Sequence, residues 1–311
     1  MSLSPSARTS DMSGPAPAND PLPILNAMSV DVEDYFQVQA LSPVFASSDW
    51  DGCESRVERN TDLLLDIFAE ADIKATFFTL GWIAQRHPAL VRRIAAGGHE
   101  VASHGFRHAR VDSQTPAEFR EDVKKTKLLL EDIAGTPVRG YRAATFSVGP
   151  GTPWAWSVLE EAGYAYSSSV YPVARDFYSF PNAPRAPYKP AGTGNFLEIP
   201  ISTVRFANRN WACGGGGYFR FLPYAASRAG IDHVNKAEHR PAVFYLHPWE
   251  VDPGQPRVRG LSAKSRFRHY VNLSRTEGRL RRLAKDFRWG RVDAAFQTGV
   301  AQPARTHAAA E

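Results

Sequence analysis

Cysteine is almost missing from this chain of 311 residues: Cys53 and Cys213 are its two thiols, far apart and in no C-x-x-C pair. That excludes a cysteine-built zinc site and a dithiol redox centre, and structural thiols are the simplest reading. Long apolar runs are missing too, and nothing approaches the roughly 18 consecutive apolar residues of a membrane-spanning helix. Met1 to Pro23 is rich in Ser, Pro and Ala, with no basic start followed by an apolar stretch. No export signal is therefore expected, and the predicted location is cytoplasmic, either free or peripheral to the inner membrane. A phosphate loop is excluded as well, because no G-K-[ST] follows the four glycines Gly214 to Gly217.

What is present suits a large globular fold: 43% of residues are apolar and 22% charged, enough for one α/β barrel or two smaller domains. The net charge of +5 is unevenly spread. Residues 256–291 hold twelve Lys or Arg against Glu277 and Asp286, a local +10, so the remainder carries −5. This basic stretch is either a solvated helical face or a surface that attracts an anionic polymer or a membrane. Nucleic acid is not expected, since no reading motif accompanies the charge.

Residues 1–22 lack periodicity and are expected to form a disordered leader. From Ile24 the chain alternates strand and helix patterns. Strands are predicted at Ile24–Asp31, Ala75–Leu80, Glu100–Ser103, Val138–Ala143, Tyr164–Ser169, Phe196–Ile201 and Ala242–Leu246. Helices are predicted at Arg56–Ala71, Ala84–Ala96, Thr115–Ile133, from Thr152-Pro153 to Gly163, and at Tyr224–Ala237. Thr115 and Glu118 form a capping box, with Pro116 at the first helical position. The alternation implies parallel pairing and an α/β class, a (β/α) barrel that is incomplete or a distorted seven-stranded one, over 23–255. A basic helical extension (256–295) packed on or beside the barrel and a disordered tail (296–311) complete the expected organisation.

In barrels of this kind the chemistry gathers at the C-terminal ends of the strands. Asp31, Glu33 and Asp34 follow the first strand, His104 and His108 the third, Arg142 the fourth and His247 the last. Each alone has a structural explanation, and an H-x-x-x-H spacing is common. Together, a carboxylate and two imidazoles make a three-ligand set that leaves coordination positions open, as a hydrolytic divalent metal requires. Glu33 shares the strand face of Asp31, whereas Asp34 points into the site only if the strand has already turned.

These residues carry a resemblance. Ser29 to Asp34 (S-V-D-V-E-D), Lys74 to Phe78 (K-A-T-F-F), Gly98 to His104 (G-H-E-V-A-S-H) and His104-Gly-Phe-Arg-His108 resemble the polysaccharide deacetylases of carbohydrate esterase family four, the NodB-homology group, over roughly Ile24 to Glu250. The wording D-V-E-D-Y-F-Q-V, Y-R-A-A-T-F-S and F-Y-L-H-P-W-E resembles a subgroup with a C-terminal extension associated with exopolysaccharide production and exosortase systems.

The resemblance implies an enzyme acting on carbon–nitrogen bonds other than peptide bonds, which removes N-acetyl or O-acetyl groups from an acetylated glycan or sugar precursor. It implies Asp31 as general base, Arg142 as its charge partner and His247 as general acid. It further implies His104 and His108 as ligands of a metal, most simply zinc, with Glu33 or Asp34 as the third, and a backbone N–H near Ala143 or Ala144 facing the oxyanion. Two departures stand out: Arg142 is followed by Ala-Ala rather than Pro-Pro, and Ser167 to Val170 supplies neither the Asp nor the Trp of the family's fourth motif. Glu250 is then a candidate partner for His247, with a surface role as the alternative.

Sugars stack on aromatic faces, so Tyr35, Phe36, Phe146, Trp211, Tyr218 and Trp249 are candidate platforms, with core packing expected for about half of them. The glycine run is expected at the groove rim, as a flap or a point of close approach to ligand. Two other functions remain open: hydrolysis of small cyclic amides, and a catalytically silent glycan-binding or assembly protein. The sequence leaves the oligomeric state undetermined.

Overall fold

The computed structural model describes residues 23–174 and 180–298. The expected leader lies outside the described residues, as does the expected tail beyond 298. The strands are β1 (Leu25–Val32), β2 (Thr76–Thr79), β3 (Glu100–Ser103), β4 (Gly140–Tyr141), β5 (Tyr166–Ser167), β6 (Leu197–Glu198), β7 (Thr203–Phe206), β8 (Arg209–Ala212), β9 (Val243–Leu246) and β10 (Arg288–Gly290). The helices are α1 (Val57–Glu70), α2 (Gly81–Arg86), α3 (Pro88–Ala96), α4 (Pro116–Ala134), α5 (Trp154–Glu161), α6 (Gly217–Phe221), α7 (Tyr224–Lys236), α8 (Ala263–Tyr270), α9 (Leu273–Asp286) and α10 (Val292–Ala295).

Seven parallel strands run in the order β9-β1-β2-β3-β4-β5-β6, curled but open. Helices cover the outer face, where α1 buries Val57, Thr61, Leu64 and Phe68 at helical spacing. Helix α4 has both bonds of the Thr115–Glu118 capping box and ends on left-handed Gly135. The single helix expected over 84–96 is two, because Pro88 lacks an N–H to continue the first and opens the second. Strands β4, β5 and β6 are shorter than expected because side chains take over the backbone partners beyond them, as when Ala143 N–H donates to Ser169 Oγ at 2.8 Å.

The open seam between β6 and β9 is filled by the glycine run. Gly216 N–H donates to Tyr245 O at 2.9 Å, Tyr245 N–H donates to Gly214 O at 2.8 Å, and Gly215 forms a parallel bridge with Tyr245. A Cβ on Gly215 would sit 2.0 Å from Tyr245 O, and its φ is +109°. Gly214, Gly215 and Gly216 are buried. The rim placement expected for this run is therefore corrected for Gly214 to Gly216, whose close approach is to β9, while Gly217 is exposed.

The C-terminal extension is not only helical. Ala27 pairs with both β9 and β10, while Ser29 and Val30 pair with both β9 and β2. Strand β10 thus shares an edge of β1 with β2, below it. Val292 then closes the lower end of the barrel interior against Ala27, Phe78, Ala102, Ile199 and Val243. Several cations of the basic stretch are structural: Arg279 donates to the carbonyls of Phe219, Arg220 and Leu222, Arg281 pairs with Glu70 and Glu277, and Arg291 pairs with Asp293.

Candidate active site

Strand β1 delivers two carboxylates to the upper end of the sheet. Asp31 Oδ1 lies 2.6 Å from Arg142 Nη1. Arg142, fully buried just past β4, also donates to Ser29 Oγ, Ser168 O and Ser168 Oγ, and its guanidinium lies 4.0 Å over the Phe78 ring. Four of its five N–H donors are aimed at fixed partners, which holds the buried cation in place.

Glu33, His104 and His108 converge, with one ligand-type atom from each lying within 4.8 Å of the others. His104 Nδ1 lies 2.8 Å from Arg142 O, which can only accept, so Nδ1 carries the proton and Nε2 keeps a lone pair for the cluster. His108 Nε2 is 3.0 Å from Glu33 Oε2, yet that buried oxygen has no hydrogen-bonding partner. Burial pushes Glu33 up to about 7, partly countered by His247. Burial likewise depresses His104 and holds His108 well below the ordinary histidine range. Two neutral imidazoles and an unsatisfied carboxylate oxygen facing one point are the donor set a divalent cation fits. His108 holds a left-handed backbone (φ 54°), a strained setting for a residue with a Cβ.

Asp34 does not join this group. Its oxygens accept from Tyr35 N–H, Ser55 Oγ, Arg56 N–H and Val57 N–H, so it ties the loop after β1 to the start of α1. The turn reverses its direction away from the cluster, which corrects its candidacy as a ligand.

His247 closes the site from β9. Its Nε2 faces Glu33 Oε1 at 3.5 Å and Asp31 Oδ2 at 3.9 Å, and its Nδ1 donates to Glu250 Oε1 at 2.7 Å. Glu250 is buried, which removes its surface reading, and its other oxygen takes Arg220 Nε at 2.5 Å. Burial would depress His247, but Glu250, then Glu33 and Asp31, outweigh it and raise the imidazole to about 9. Burial would raise Glu250, but Arg220 and His247 bring it down to about 2. Trp249 stacks on His247 on one side (centroids 5.2 Å apart) and His269 of α8 on the other (4.4 Å). Arg220 and His269 escaped the sequence reading. A lone arginine inside the apolar run G-Y-F-R-F was the available signal, since a cation there needs a buried partner.

The platform residues separate. Tyr35, Phe36, Phe146 and Trp249 are buried packing residues, which corrects Phe146 and Trp249 as open sugar platforms: Phe146 sits edge-on to Tyr171 and Tyr245. Trp211 on β8 is exposed and Tyr218 on α6 half-buried. Ala143 N–H is occupied by Ser169, which corrects its candidacy as an oxyanion donor and leaves Ala144 N–H, with no partner among the described residues.

A curled parallel sheet with histidines, carboxylates and an arginine at its C-terminal strand ends defines a deformed (β/α) barrel with a hydrolytic type of site. Comparison finds two matching segments. Residues 48–167 match the family model described as Polysaccharide deacetylase, and residues 168–297 match a domain of unknown function, DUF3473. Residues 48–167 thus resemble the polysaccharide deacetylases, and the region that follows resembles DUF3473. His104, His108 and Arg142 fall in the first segment, Asp31 and Glu33 precede it, and Arg220, His247, Glu250 and His269 fall in the second.

A peptidoglycan-N-acetylglucosamine deacetylase of Bacillus cereus is 36% identical over 75 residues, 24% of this chain and 27% of the relative. A chitooligosaccharide deacetylase of Rhizobium leguminosarum bv. trifolii is 41% identical over 66 residues, 21% of this chain and 31% of the relative. The chain thus spans about a third or less of these two relatives. A candidate polysaccharide deacetylase of Mycobacterium smegmatis shares the fold, with a TM-score of 0.60 at 20% identity covering 97% of this chain and 99% of that one.

Proposed function

We propose that this protein is a metal-dependent deacetylase of an acetylated glycan, acting on N-acetyl groups in exopolysaccharide biosynthesis. The observation that carries the reading is the convergence of Glu33, His104 and His108 beside the Asp31–Arg142 pair and His247. The named activities of the relatives support the substrate class.

Glu33, His104 and His108 would hold a divalent cation, zinc by donor type. When bound, it supplies Lewis-acid polarisation of the acetyl carbonyl and favours the hydroxide form of water at neutral pH. Asp31 Oδ2 accepts the proton of the attacking water, and Arg142, anchored on Oδ1, fixes the direction of that oxygen. The free Ala144 N–H is the backbone donor for the developing oxyanion. His247 donates its Nε2 proton to the leaving amine. A pKa near 9 keeps that proton available at neutral pH, and Glu250 holds the ring with Nε2 toward the reacting centre. Among these groups, His247 and His108 keep the most accessible side chains, 17% and 8%, so substrate enters past them.

The experiment is acetate release from chitooligosaccharides by the chelator-stripped chain, then with zinc restored. Loss and recovery of activity in the native chain, and neither metal uptake nor activity in His108→Ala, are expected. Undiminished release by stripped His108→Ala would end the metal reading.

A further inference from the structure

Backbone strain and an unmet hydrogen bond coincide at one residue beside the site. Of the non-glycine residues described at positive φ, Thr145 (φ 55°, ψ 28°) alone is β-branched. Two heavy atoms on Cβ make the left-handed region especially costly. Its Oγ1 is also buried with no hydrogen-bond partner among the described residues, a second cost. The N–H of the preceding residue, buried Ala144, is free as well. Valine has nearly the same shape and would leave no hydroxyl unpaired, so packing alone does not account for a threonine here.

The turn that carries Thr145 is locked rather than loose. Phe146 N–H donates to Ala143 O at 3.1 Å, and Ser147 N–H donates to Ala144 O at 3.2 Å. Ser147 Oγ donates to Ala144 O at 2.7 Å and accepts from Val111 N–H at 2.9 Å. Val111 lies three positions past His108, and Arg142 O, three positions before Thr145, holds His104 Nδ1 at 2.8 Å. The Phe146 ring is edge-on to Tyr245 with centroids 5.0 Å apart, and Tyr245 stands edge-on to His247 at 5.6 Å. The turn is thus tied to the loops of both cluster histidines and, through Tyr245, to His247. Strain held in place by so many contacts, at a turn bounded by site residues, is the mark of a preorganised group.

The geometry points to Thr145 Oγ1 as a second donor to the acetyl oxygen, paired with the adjoining Ala144 N–H as charge builds on that oxygen. The inference rests on the deacetylase reading. The hydroxyl keeps its proton throughout and donates only a hydrogen bond, so no group is transferred to it. A donor aimed at charge that develops in the transition state lowers kcat when it is removed and leaves ground-state binding alone.

The test is steady-state acetate release from chitooligosaccharides and peptidoglycan fragments by the zinc-loaded full chain and by Thr145→Val, Thr145→Ser and Thr145→Gly, with Tm measured for each. Thr145→Val removes the hydroxyl and keeps the shape. Thr145→Gly removes it while relieving the left-handed backbone, and decides the matter if the valine variant does not fold. Both are expected to lose about 10²–10³-fold in kcat with KM within about threefold of native. Thr145→Val should melt no lower than native, and Thr145→Ser, which keeps the hydroxyl, should hold kcat within about tenfold. Native kcat in the valine or glycine variant would overturn the inference and leave the deacetylase reading standing. So would a loss confined to KM, which would put the hydroxyl on the sugar, or a serine variant as impaired as the valine one. If the native chain releases acetate from neither substrate, the deacetylase reading falls and this inference falls with it.

Discussion

The two halves of the sheet hold their charged groups by different means. In the first half, from β1 to β4, Arg142 braces Asp31 directly, and the backbone carbonyl of Arg142 fixes the ring of His104. In the second half, His247 is braced at a distance, through Glu250 to an arginine of α6 and through Trp249 to a histidine of α8. The first half is a set of motifs, and the second is a scaffold that substitutes for a missing one. Ser167 to Ser169 cannot supply the usual partner of the histidine, and the downstream region supplies Glu250 and Arg220 in its place.

The comparison breaks most sharply at Asp31. Asp31→Asn removes the proposed base without changing shape, and acetate release should fall by about 10²–10⁴-fold while zinc uptake stays at the native level. A metal-free product would mean that the carboxylate serves the cluster instead. Gly215→Ala strikes the second half at the seam, where a Cβ meets Tyr245 O at positive φ. The expected loss is at least about 2 kcal/mol, read as a drop in Tm of roughly 4–8 °C by calorimetry.

Glu250→Gln should be milder in rate, about 10–100-fold, the range seen when an orienting partner is removed. Its signature is in the pH profile. Glu250 helps raise His247, so its neutralisation lowers that pKa, and the alkaline fall in kcat/KM should begin at lower pH. An unmoved alkaline limb would show that His247 does not supply the proton. The smallest effect is expected at the floor of the barrel. Burial, followed by Asp293, raises Glu100, which accepts from Thr76 Oγ1 and Tyr166 OH. A folded pKa above the unfolded one contributes stability at low pH that is lost as pH rises through the raised value. Denaturant melts should therefore weaken above the ordinary glutamate range in the native chain and weaken less steeply in Glu100→Gln, which keeps the contribution of the other raised carboxylates such as Glu33.

The first half was legible because its chemistry repeats at short spacing on strand ends. Asp31, Glu33, His104, His108 and Arg142 could be placed from strand alternation and the barrel rule, and α4 from its capping box. Asp34 misled because the turn after β1 is set by contacts with α1, which periodicity does not encode. Phe146 and Trp249 misled because exposure depends on what folds over a ring, and both are covered by residues far away in sequence. Strand β10 was hidden inside a basic stretch, where three residues of strand carry too little pattern to outweigh the charge around them. The glycine run reads in the sequence as a flap or a close approach to a ligand, whereas its close approach is to β9.

The placement of β10 carries a consequence for biosynthesis. Arg288 reaches back to Pro23 O across 265 positions, and its strand completes an edge of β1, the first of the described strands. During translation that edge emerges from the ribosome long before its partner exists, unpaired and open to intermolecular β-association. Folding of the barrel floor is thus deferred until nearly all of the described chain has been synthesised. A chaperone that shields nascent strands should raise the soluble yield, and a version ending at residue 255 should accumulate as aggregate.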